Sequence, residues 1–368
     1  MSAELLPVVH TLQRLIRQPS PSGSESALAL LTLEEFRSAG CDHAELDAAG
    51  NALGLWRGRE PGPGWLLITH LDHVHEGDLA LWAHPPYAGE LEGGRVHGRG
   101  AVDIKGPLAA HIHALAAGRP RRDVLIASLV EEELGGRGAA ALIADLPRWA
   151  ASGYQPGACI VAEPSSNRLM LGHRGVSRLR LRFTGRAHHA SFALHDQNPL
   201  FALATLLQRI SSFQFPVHPV LGVSTLTPTQ VWTDSGSENL TPNWVELVLD
   251  WRSSEPDEER RRALEELCRG LAVQYSWPPL WSTSSTPGFY LPPDHPLVAL
   301  LRSYVPGEPQ VWRFATDGRY TAAAGIPTIG FGCGDPELAH TTDESIAVEE
   351  LTAHVATLSR LLQAEAPA

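Results

Sequence analysis

Acidic and imidazole side chains follow apolar, strand-like runs of this sequence, and this arrangement constrains the fold more than any other feature. The runs, each with the polar residues after it, are 65–68 with His70 and Asp72, 123–130 with Glu131, Glu132 and Glu133, and 158–162 with Glu163. In a mostly parallel sheet, the carboxyl ends of the strands open onto one crevice where ligands collect. Carboxylate oxygens combined with a few imidazoles suit zinc, cobalt or manganese. The pattern therefore indicates a metal-dependent hydrolase.

The order of strand-like and helix-like segments predicts an α/β fold. Strands are expected at 51–56, 65–68 and 326–331, and helices at 107–117 and 348–362. Such alternation is typical of a mixed, mainly parallel sheet that lies between helices. We expect residues 1–173 and 288–368 to form this metal-binding domain.

The pattern changes after about Gly172. Residues 178–183 alternate between arginine and apolar side chains, as in a strand with one wet face, and 245–251 alternate in a similar way. A helix is expected to start at Asn198, and another to run over 256–271. These segments predict a smaller α+β module, residues 174–287, inserted into the first domain.

Composition excludes some classes of partner and compartment. The 368 residues carry a formal net charge of −12, which argues against nucleic acid or an anionic membrane surface as partner. The four cysteines form no Cys-x-x-Cys pair, so a reducing cytoplasm is the expected location. We expect no signal peptide, because residues 1–4 are not a basic region followed by an apolar stretch, and no membrane span, because no apolar run reaches about 18 residues.

Each polar motif also has an ordinary structural interpretation when taken alone. His70 and Asp72 point the same way from a strand end, so Asp72 could orient a metal-bound His70, but such pairs also occur in surface loops. Asp103 follows a glycine-rich stretch, where it could bridge two metals, cap the next helix or simply lie in a turn. We expect His73, like His84, to lie in a solvated loop.

The three consecutive glutamates, residues 131–133, are the most unusual element. Adjacent residues on an extended chain face opposite ways, so one carboxylate can bind metal while its neighbour faces the reacting water. An exposed acidic turn is the alternative, and Glu163 or His340 alone could be structural. All five signals fall at strand ends or in glycine loops, and this combination favours a metal site.

With these motifs, the chain resembles the co-catalytic di-zinc amidohydrolase and metallopeptidase family. That family includes acetylornithine deacetylase, succinyl-diaminopimelate desuccinylase, aminoacylase and glutamate carboxypeptidase. The matching motifs are His70-x-Asp72, Gly98-Arg99-Gly100-Ala101-Val102-Asp103-x-Lys105-Gly106, Glu132-Glu133, Glu163-Pro164 and Ala339-His340. The resemblance implies a zinc-exopeptidase-like catalytic domain and an inserted, ferredoxin-like lid that dimerises.

The resemblance also implies a role for each motif residue. Two divalent ions would be bound, zinc in the first place, with cobalt or manganese as alternatives. Their ligands would be His70 with Glu163 for one ion, Glu133 with His340 for the other, and Asp103 as the bridge. Glu132 would be the general base that generates a metal-bridging hydroxide, and Asp72 would orient His70. The peptide between Asp103 and Ile104 would be cis.

Further implications concern the lid. His189 would reach the active site of the second subunit of a homodimer as an oxyanion donor, although His189, like His188, could simply be exposed on a strand end. Asn239, Arg252 and Arg174 match positions near the substrate. A surface or salt-bridging arginine is the alternative for Arg252 and Arg174.

These matches predict a cytoplasmic hydrolase that cleaves the amide bond of an N-acyl amino acid, as a deacetylase or desuccinylase does. The alternatives are a dipeptidase or carboxypeptidase that acts on a short peptide, and a catalytically silent binding paralogue. Ala315 stands where the desuccinylase has a hydroxyl side chain, which argues against succinyl-diaminopimelate as substrate. Residues 100–108 also resemble the lysine-releasing hydrolase of the amino-carrier pathway, so the sequence leaves the substrate open.

Overall fold

The computed structural model describes residues 6–282 and 284–367. Residues 1–5 and 368 of the predicted catalytic domain, and residue 283 of the predicted insertion, lie outside this description. The chain forms two compact units, one made of Met1–Gly172 with Phe289–Ala368 and the other of His173–Gly288. Across the described residues, no helix is both long enough and apolar enough to cross a membrane.

Helices and strands alternate along much of the chain. The α-helices are α1 (Pro7–Ile16), α2 (Ser26–Ser38), α3 (Lys105–Ala116), α4 (Arg137–Ala151), α5 (Pro199–Ser212), α6 (Asp257–Cys268), α7 (Pro296–Arg302), α8 (Gly318–Ala323) and α9 (Val348–Ala364). The strands are β1 (His43–Leu46), β2 (Ala52–Trp56), β3 (Gly64–His70), β4 (Glu90–Glu92), β5 (Arg95–His97), β6 (Val124–Leu129), β7 (Pro156–Val161), β8 (Met170–His173), β9 (Gly175–Thr184), β10 (Val217–His218), β11 (Gly222–Val223), β12 (Thr225–Thr233), β13 (Trp244–Ser253), β14 (Val273–Tyr275), β15 (Ser285–Thr286), β16 (Phe289–Tyr290), β17 (Gln310–Trp312), β18 (Thr328–Gly330) and β19 (Ser345–Ala347).

The first unit is built on a mixed central sheet with the strand order β1-β2-β6-β3-β7-β18-β8-β16, and β17 pairs with β8. Its middle strands β6, β3, β7 and β18 run parallel to one another, while β2 and β8 pair antiparallel with their neighbours. Every residue of β3 and β6 is buried, as expected for parallel strands covered on both faces. The predicted α/β fold with a mixed sheet is confirmed.

The second unit contains an antiparallel sheet in the order β12-β13-β9-β14, with β15 also paired to β9. Leu179, Leu181 and Phe183 of β9 are buried, and the arginines between them are exposed, which confirms the predicted strand with one wet face. The buried side chains pack in a core with residues of α5 and α6, including Leu206 and Leu264. Asn198 caps α5 by accepting a hydrogen bond from the backbone N–H of Leu200.

The register of the parallel strands brings their carboxyl ends to one edge of the central sheet. His70 at the end of β3 pairs with Leu129 at the end of β6, and Ile68 pairs with Val161 at the end of β7. The segments that follow these strands therefore meet at one edge. This edge carries the acidic and imidazole residues described next.

Candidate active site

His70, Asp103 and Glu163 form the first of two groups of possible metal ligands. Nε2 of His70 lies 2.8 Å from Oδ1 of Asp103 and 3.7 Å from Oε1 of Glu163. All three residues are buried, so the group lies beneath the surface of the first unit. A helix-capping role for Asp103 is wrong, because the N-cap residue of α3 is Ile104, which makes no side-chain capping hydrogen bond.

Asp103, Glu133 and His340 form the second group. Nε2 of His340 lies 3.1 Å from Oδ2 of Asp103 and 2.9 Å from Oε1 of Glu133. The His340 side chain is 48% exposed, whereas that of His70 is 2% exposed, so the second group is the more open to solvent. Asp103 therefore faces one imidazole with each of its carboxylate oxygens.

The donor set of the two groups fits a pair of divalent cations. Within each group, the candidate ligand atoms lie within 4.8 Å of one another. Carboxylate oxygens and imidazole nitrogens are ligands for zinc and related ions. Burial and the nearby charge of Asp103 raise the pKa of Glu163 to about 8. A bound cation would relieve this repulsion between buried carboxylates.

The loop before α3 holds Asp103 in place through its backbone. Gly100 has a φ of 81°, a conformation that other residues rarely adopt, and its carbonyl accepts a hydrogen bond from the N–H of Lys105 at 2.8 Å. The Asp103–Ile104 peptide is cis, which confirms the expectation from the resemblance. Lys105 is buried and donates from Nζ to the carbonyl of Gln18 at 2.8 Å.

The three consecutive glutamates point in different directions. Glu131 forms an ion pair with Arg137 at 2.8 Å, and Glu133 belongs to the second ligand group. The Glu132 side chain is 12% exposed, and its Oε1 lies 4.0 Å from Nη1 of Arg319. Burial, together with the charges of Asp317 and Glu163, raises the pKa of Glu132 well above its usual value. A raised pKa makes the carboxyl group a better proton acceptor than an ordinary glutamate.

Asp72 joins the end of β3 to the glutamate loop. Its carboxylate accepts hydrogen bonds from the backbone N–H of Glu132 at 3.0 Å, from that of Glu133 at 3.2 Å, and from the Ser22 hydroxyl at 2.8 Å. Oδ1 of Asp72 also lies 3.5 Å from Nδ1 of His70. Asp72 is buried, so the surface-loop interpretation of the His70–Asp72 motif is wrong.

The prediction of a solvated His73 is also wrong. His73 is buried, its Nε2 accepts a hydrogen bond from the N–H of Ser20 at 3.0 Å, and its Nδ1 lies 2.8 Å from the carbonyl oxygen of Val74. Burial lowers the pKa of His73 to about 4. The segment of Ser20 covers this ring, a contact between distant parts of the chain that loop composition does not indicate.

The predicted lid residues lie in the second unit. His189 is exposed, and its Nε2 lies 3.4 Å from Nδ2 of Asn239. Nε2 of the neighbouring His188 lies 2.7 Å from Oε1 of Gln197. Arg252 and Arg174 are not part of the His189–Asn239 pair. Arg252 donates to Asp250 at 2.6 Å and 3.2 Å, and Arg174 donates to the carbonyl of Val223.

Sequence reasoning missed several buried polar residues around the ligand groups. Glu344, Arg99, Asp317 and Arg319 are all buried. Glu344 accepts hydrogen bonds from the N–H groups of the Asp103 loop, and Arg319 lies 3.1 Å from Asp317. The one signal for Glu344 was its place in the same short segment as His340.

A family model described as "Peptidase family M20/M25/M40" matches residues 66–364, most of the chain. The chain belongs to this family. It is therefore a member of a family of metallopeptidases and amidohydrolases, enzymes that hydrolyse C–N bonds. The predicted family is confirmed, and so is the prediction of a metal-dependent hydrolase.

Similar sequences include enzymes named succinyl-diaminopimelate desuccinylase. The one from Methylobacterium sp. (strain 4-46) is 31% identical over 335 residues, which cover 83% of this M20 chain and 82% of the relative. The one from Halorhodospira halophila (strain DSM 244 / SL1) is 27% identical over 374 residues, which cover 95% and 96% of the two chains.

Similar solved structures include several peptidases. Aminopeptidase PepT from Bacillus cereus ATCC 10987 has a TM-score of 0.77 at 17% identity and covers 98% of both chains. The metallo-carboxypeptidase Sso-CP2 from Sulfolobus solfataricus has a TM-score of 0.73 at 16% identity, over 98% of this M20 chain and 99% of its own. A dinuclear metal-binding M20 peptidase from Bacillus subtilis has a TM-score of 0.71 at 15% identity, over 97% of both chains. At these identities the likeness concerns the fold.

Proposed function

We propose that this M20 protein is a two-metal amidohydrolase that removes the acyl group from an N-acyl amino acid. The observation that carries the proposal is the position of Asp103, whose two oxygens face the imidazoles of His70 and His340 at 2.8 Å and 3.1 Å. A single carboxylate shared by two ligand groups suits a pair of adjacent cations. We propose zinc as the native metal, with cobalt or manganese as alternatives.

Each of the two ligand groups would bind one ion. The ligands would be His70 and Glu163 for one ion, Glu133 and His340 for the other, and Asp103 for both. When bound, such ions polarise the substrate carbonyl and lower the pKa of water. Asp72 would hold the His70 ring and the backbone of Glu132 in fixed positions, since its carboxylate contacts both.

Glu132 is proposed as the general base and acid. It would take a proton from the attacking water and return it to the leaving amine. The raised pKa of Glu132 supports this role, because a carboxyl group that titrates nearer neutrality can both accept and release a proton. Glu131 is not suited to the role, since its carboxylate is bound to Arg137 at the surface.

The second unit is proposed as a lid that binds substrate and forms a homodimer. We propose His189 as the oxyanion donor to the second subunit, Asn239 and Arg252 as residues near the substrate, and Arg174 as a residue that binds a substrate carboxylate. Strand β12 supports the dimer, because it lies at the edge of the lid sheet with Val231 and Trp232 exposed. All four cysteines are free thiols, in keeping with the proposed cytoplasmic location.

A dipeptidase or carboxypeptidase is the second candidate. It is supported by the peptidases among the solved structures with the same fold. The deacylase is favoured because the similar sequences that cover nearly the whole chain are named as a desuccinylase. A silent binding paralogue is disfavoured, because the five proposed ligands and Glu132 are all present.

A substrate panel separates these candidates. Purified protein loaded with zinc is incubated with N-acetyl and N-succinyl amino acids and with dipeptides, and the released amine is measured. Release from N-acyl amino acids at rates at least 10-fold above those with dipeptides supports the deacylase. The opposite ratio identifies a peptidase, and metal binding without turnover of any panel member contradicts the proposal.

A further inference from the structure

Glu344 contacts the backbone of the loop that carries Asp103. Its Oε1 accepts hydrogen bonds from the N–H of Val102 at 3.0 Å and from the N–H of Asp103 at 3.1 Å. Glu344 is 1% exposed. It also follows His340 within one short segment, so that segment supplies both a proposed ligand and a contact to the backbone of Asp103.

Arg99 fixes the position of the Glu344 carboxylate. Nη1 of Arg99 donates to Oε2 of Glu344 at 2.6 Å, and the guanidinium lies over the ring of Trp82 at 5.0 Å from its centroid. The N–H of Gly98 donates to the Glu344 carbonyl at 3.0 Å. A buried carboxylate held by one cation and by backbone amides has little freedom to move.

We propose that Glu344 is a positioning residue that orients Asp103 toward both metal ions. This inference rests on the proposed two-metal function. Its basis is that the Glu344 carboxylate accepts hydrogen bonds from the two consecutive peptide N–H groups that flank Val102, the second of which is the N–H of Asp103, so a shift of Glu344 moves the backbone that carries the Asp103 side chain. Asp103 belongs to both ligand groups. A change at Glu344 should therefore weaken the binding of both ions together. A lost ligand such as His340 would weaken one ion only.

The structural alternative is that Glu344 only pairs with Arg99 in the core. Glu35 provides a matched control, because it is also buried, forms an ion pair with Arg14 and accepts a hydrogen bond from Thr11 at 3.3 Å. Glu35→Gln therefore breaks a comparable pair away from the ligand groups. If Glu344 were merely structural, the two substitutions would have the same effect on metal binding.

The test measures metal affinity rather than activity. Metal-free wild type, Glu344→Gln and Glu35→Gln are titrated with Co²⁺, and bound cobalt is followed by its visible absorption and by calorimetry. We expect Glu35→Gln to bind two ions, each with the affinity that wild type has for it. We expect Glu344→Gln to bind both ions about 10–100-fold more weakly, the usual effect of losing a residue that orients a ligand. Thermal unfolding curves check that all three proteins are folded.

A second variant keeps the inference testable if Glu344→Gln does not fold. Glu344→Asp keeps the charge opposite Arg99 but shortens the reach to the N–H groups of Val102 and Asp103, so it too should bind both ions at least 10-fold more weakly. Wild-type affinity in either folded variant, or an equal loss in Glu35→Gln, would overturn the inference. Failure of the wild type to bind metal would instead overturn the proposed function.

Discussion

His340 meets Glu133 across 207 residues of sequence, with 2.9 Å between Nε2 of the imidazole and Oε1 of the carboxylate. The two residues come from segments after different strands, and each is near Asp103. His340 is half exposed, so this group is the solvent-facing side of the proposed metal centre. The more buried His70 group forms the other side.

Replacing His340 should therefore remove one metal and keep the other. We expect His340→Ala to bind one equivalent of zinc where wild type binds two, because His70, Glu163 and Asp103 are unchanged. The check is metal analysis of protein equilibrated with zinc and then desalted. His84→Ala, a change in a partly exposed histidine outside both groups, is the control and should retain two equivalents. Two equivalents in His340→Ala would contradict the assignment.

Replacing the proposed base should stop turnover without releasing metal. We expect Glu132→Gln to lower kcat by about 10²–10⁴-fold, the usual contribution of a positioned acid or base, with both metals retained. Glu131→Gln is the neighbouring control, and its kcat should stay within about twofold of wild type because its carboxylate pairs with Arg137. A kcat within tenfold of wild type in Glu132→Gln would remove this residue from the mechanism.

The lid proposal concerns His189 and its neighbour in sequence. We expect His189→Ala to reduce kcat by about 10²–10³-fold, as loss of an oxyanion donor does, with KM little changed. His188→Ala tests the other histidine and should have a kcat near that of wild type, since His188 is bound to Gln197. A sedimentation measurement that found only monomer would contradict the role of His189 in a second subunit.

Acid should destabilise the protein through His111 and His354. The two buried rings stack at 5.6 Å, and burial lowers the pKa of His111 to about 3 and that of His354 well below its usual value. Since the unfolded histidine binds its proton near pH 6.5, the stability is complete above that pH and is lost as the pH falls toward the folded pKa.

A substitution isolates this effect. For His111 alone the free energy of unfolding should fall by about 2 kcal/mol between pH 7.5 and pH 5. The His111→Leu variant has no imidazole at this position. Its free energy of unfolding should therefore fall by about 2 kcal/mol less than that of wild type between pH 7.5 and pH 5. Urea unfolding of metal-free protein at the two pH values measures the difference. An identical pH dependence in wild type and variant would show that His111 does not titrate in this way.

Local features of the fold could be predicted because they depend on short stretches of sequence. The alternation of Leu179 and Leu181 with arginines specified one buried face of β9, and the apolar run before His70 specified β3. The strand order could not be predicted, because the place of β18 between β7 and β8 depends on packing between distant segments.

Some residues of the candidate site could likewise be predicted from local motifs, and others could not. Residues such as His70 and Glu132 could be named from motifs at strand ends. Glu344 could not, because its contacts to Asp103 and Arg99 depend on how two distant loops fold together. His73 was wrongly predicted to be solvated for the same reason, since the burial of its ring depends on contact with the segment that contains Ser20.

The most direct test of the two-metal account is activity as a function of added zinc. Protein stripped with a chelator is titrated with zinc, and amine release from the best N-acyl amino acid is measured at each point. The account predicts no turnover in the stripped protein, activity that reaches its maximum by two equivalents of zinc in wild type, and activity about 10²–10⁴-fold lower in zinc-loaded Glu132→Gln. Full turnover by protein that holds no metal, or undiminished turnover in Glu132→Gln, would contradict it.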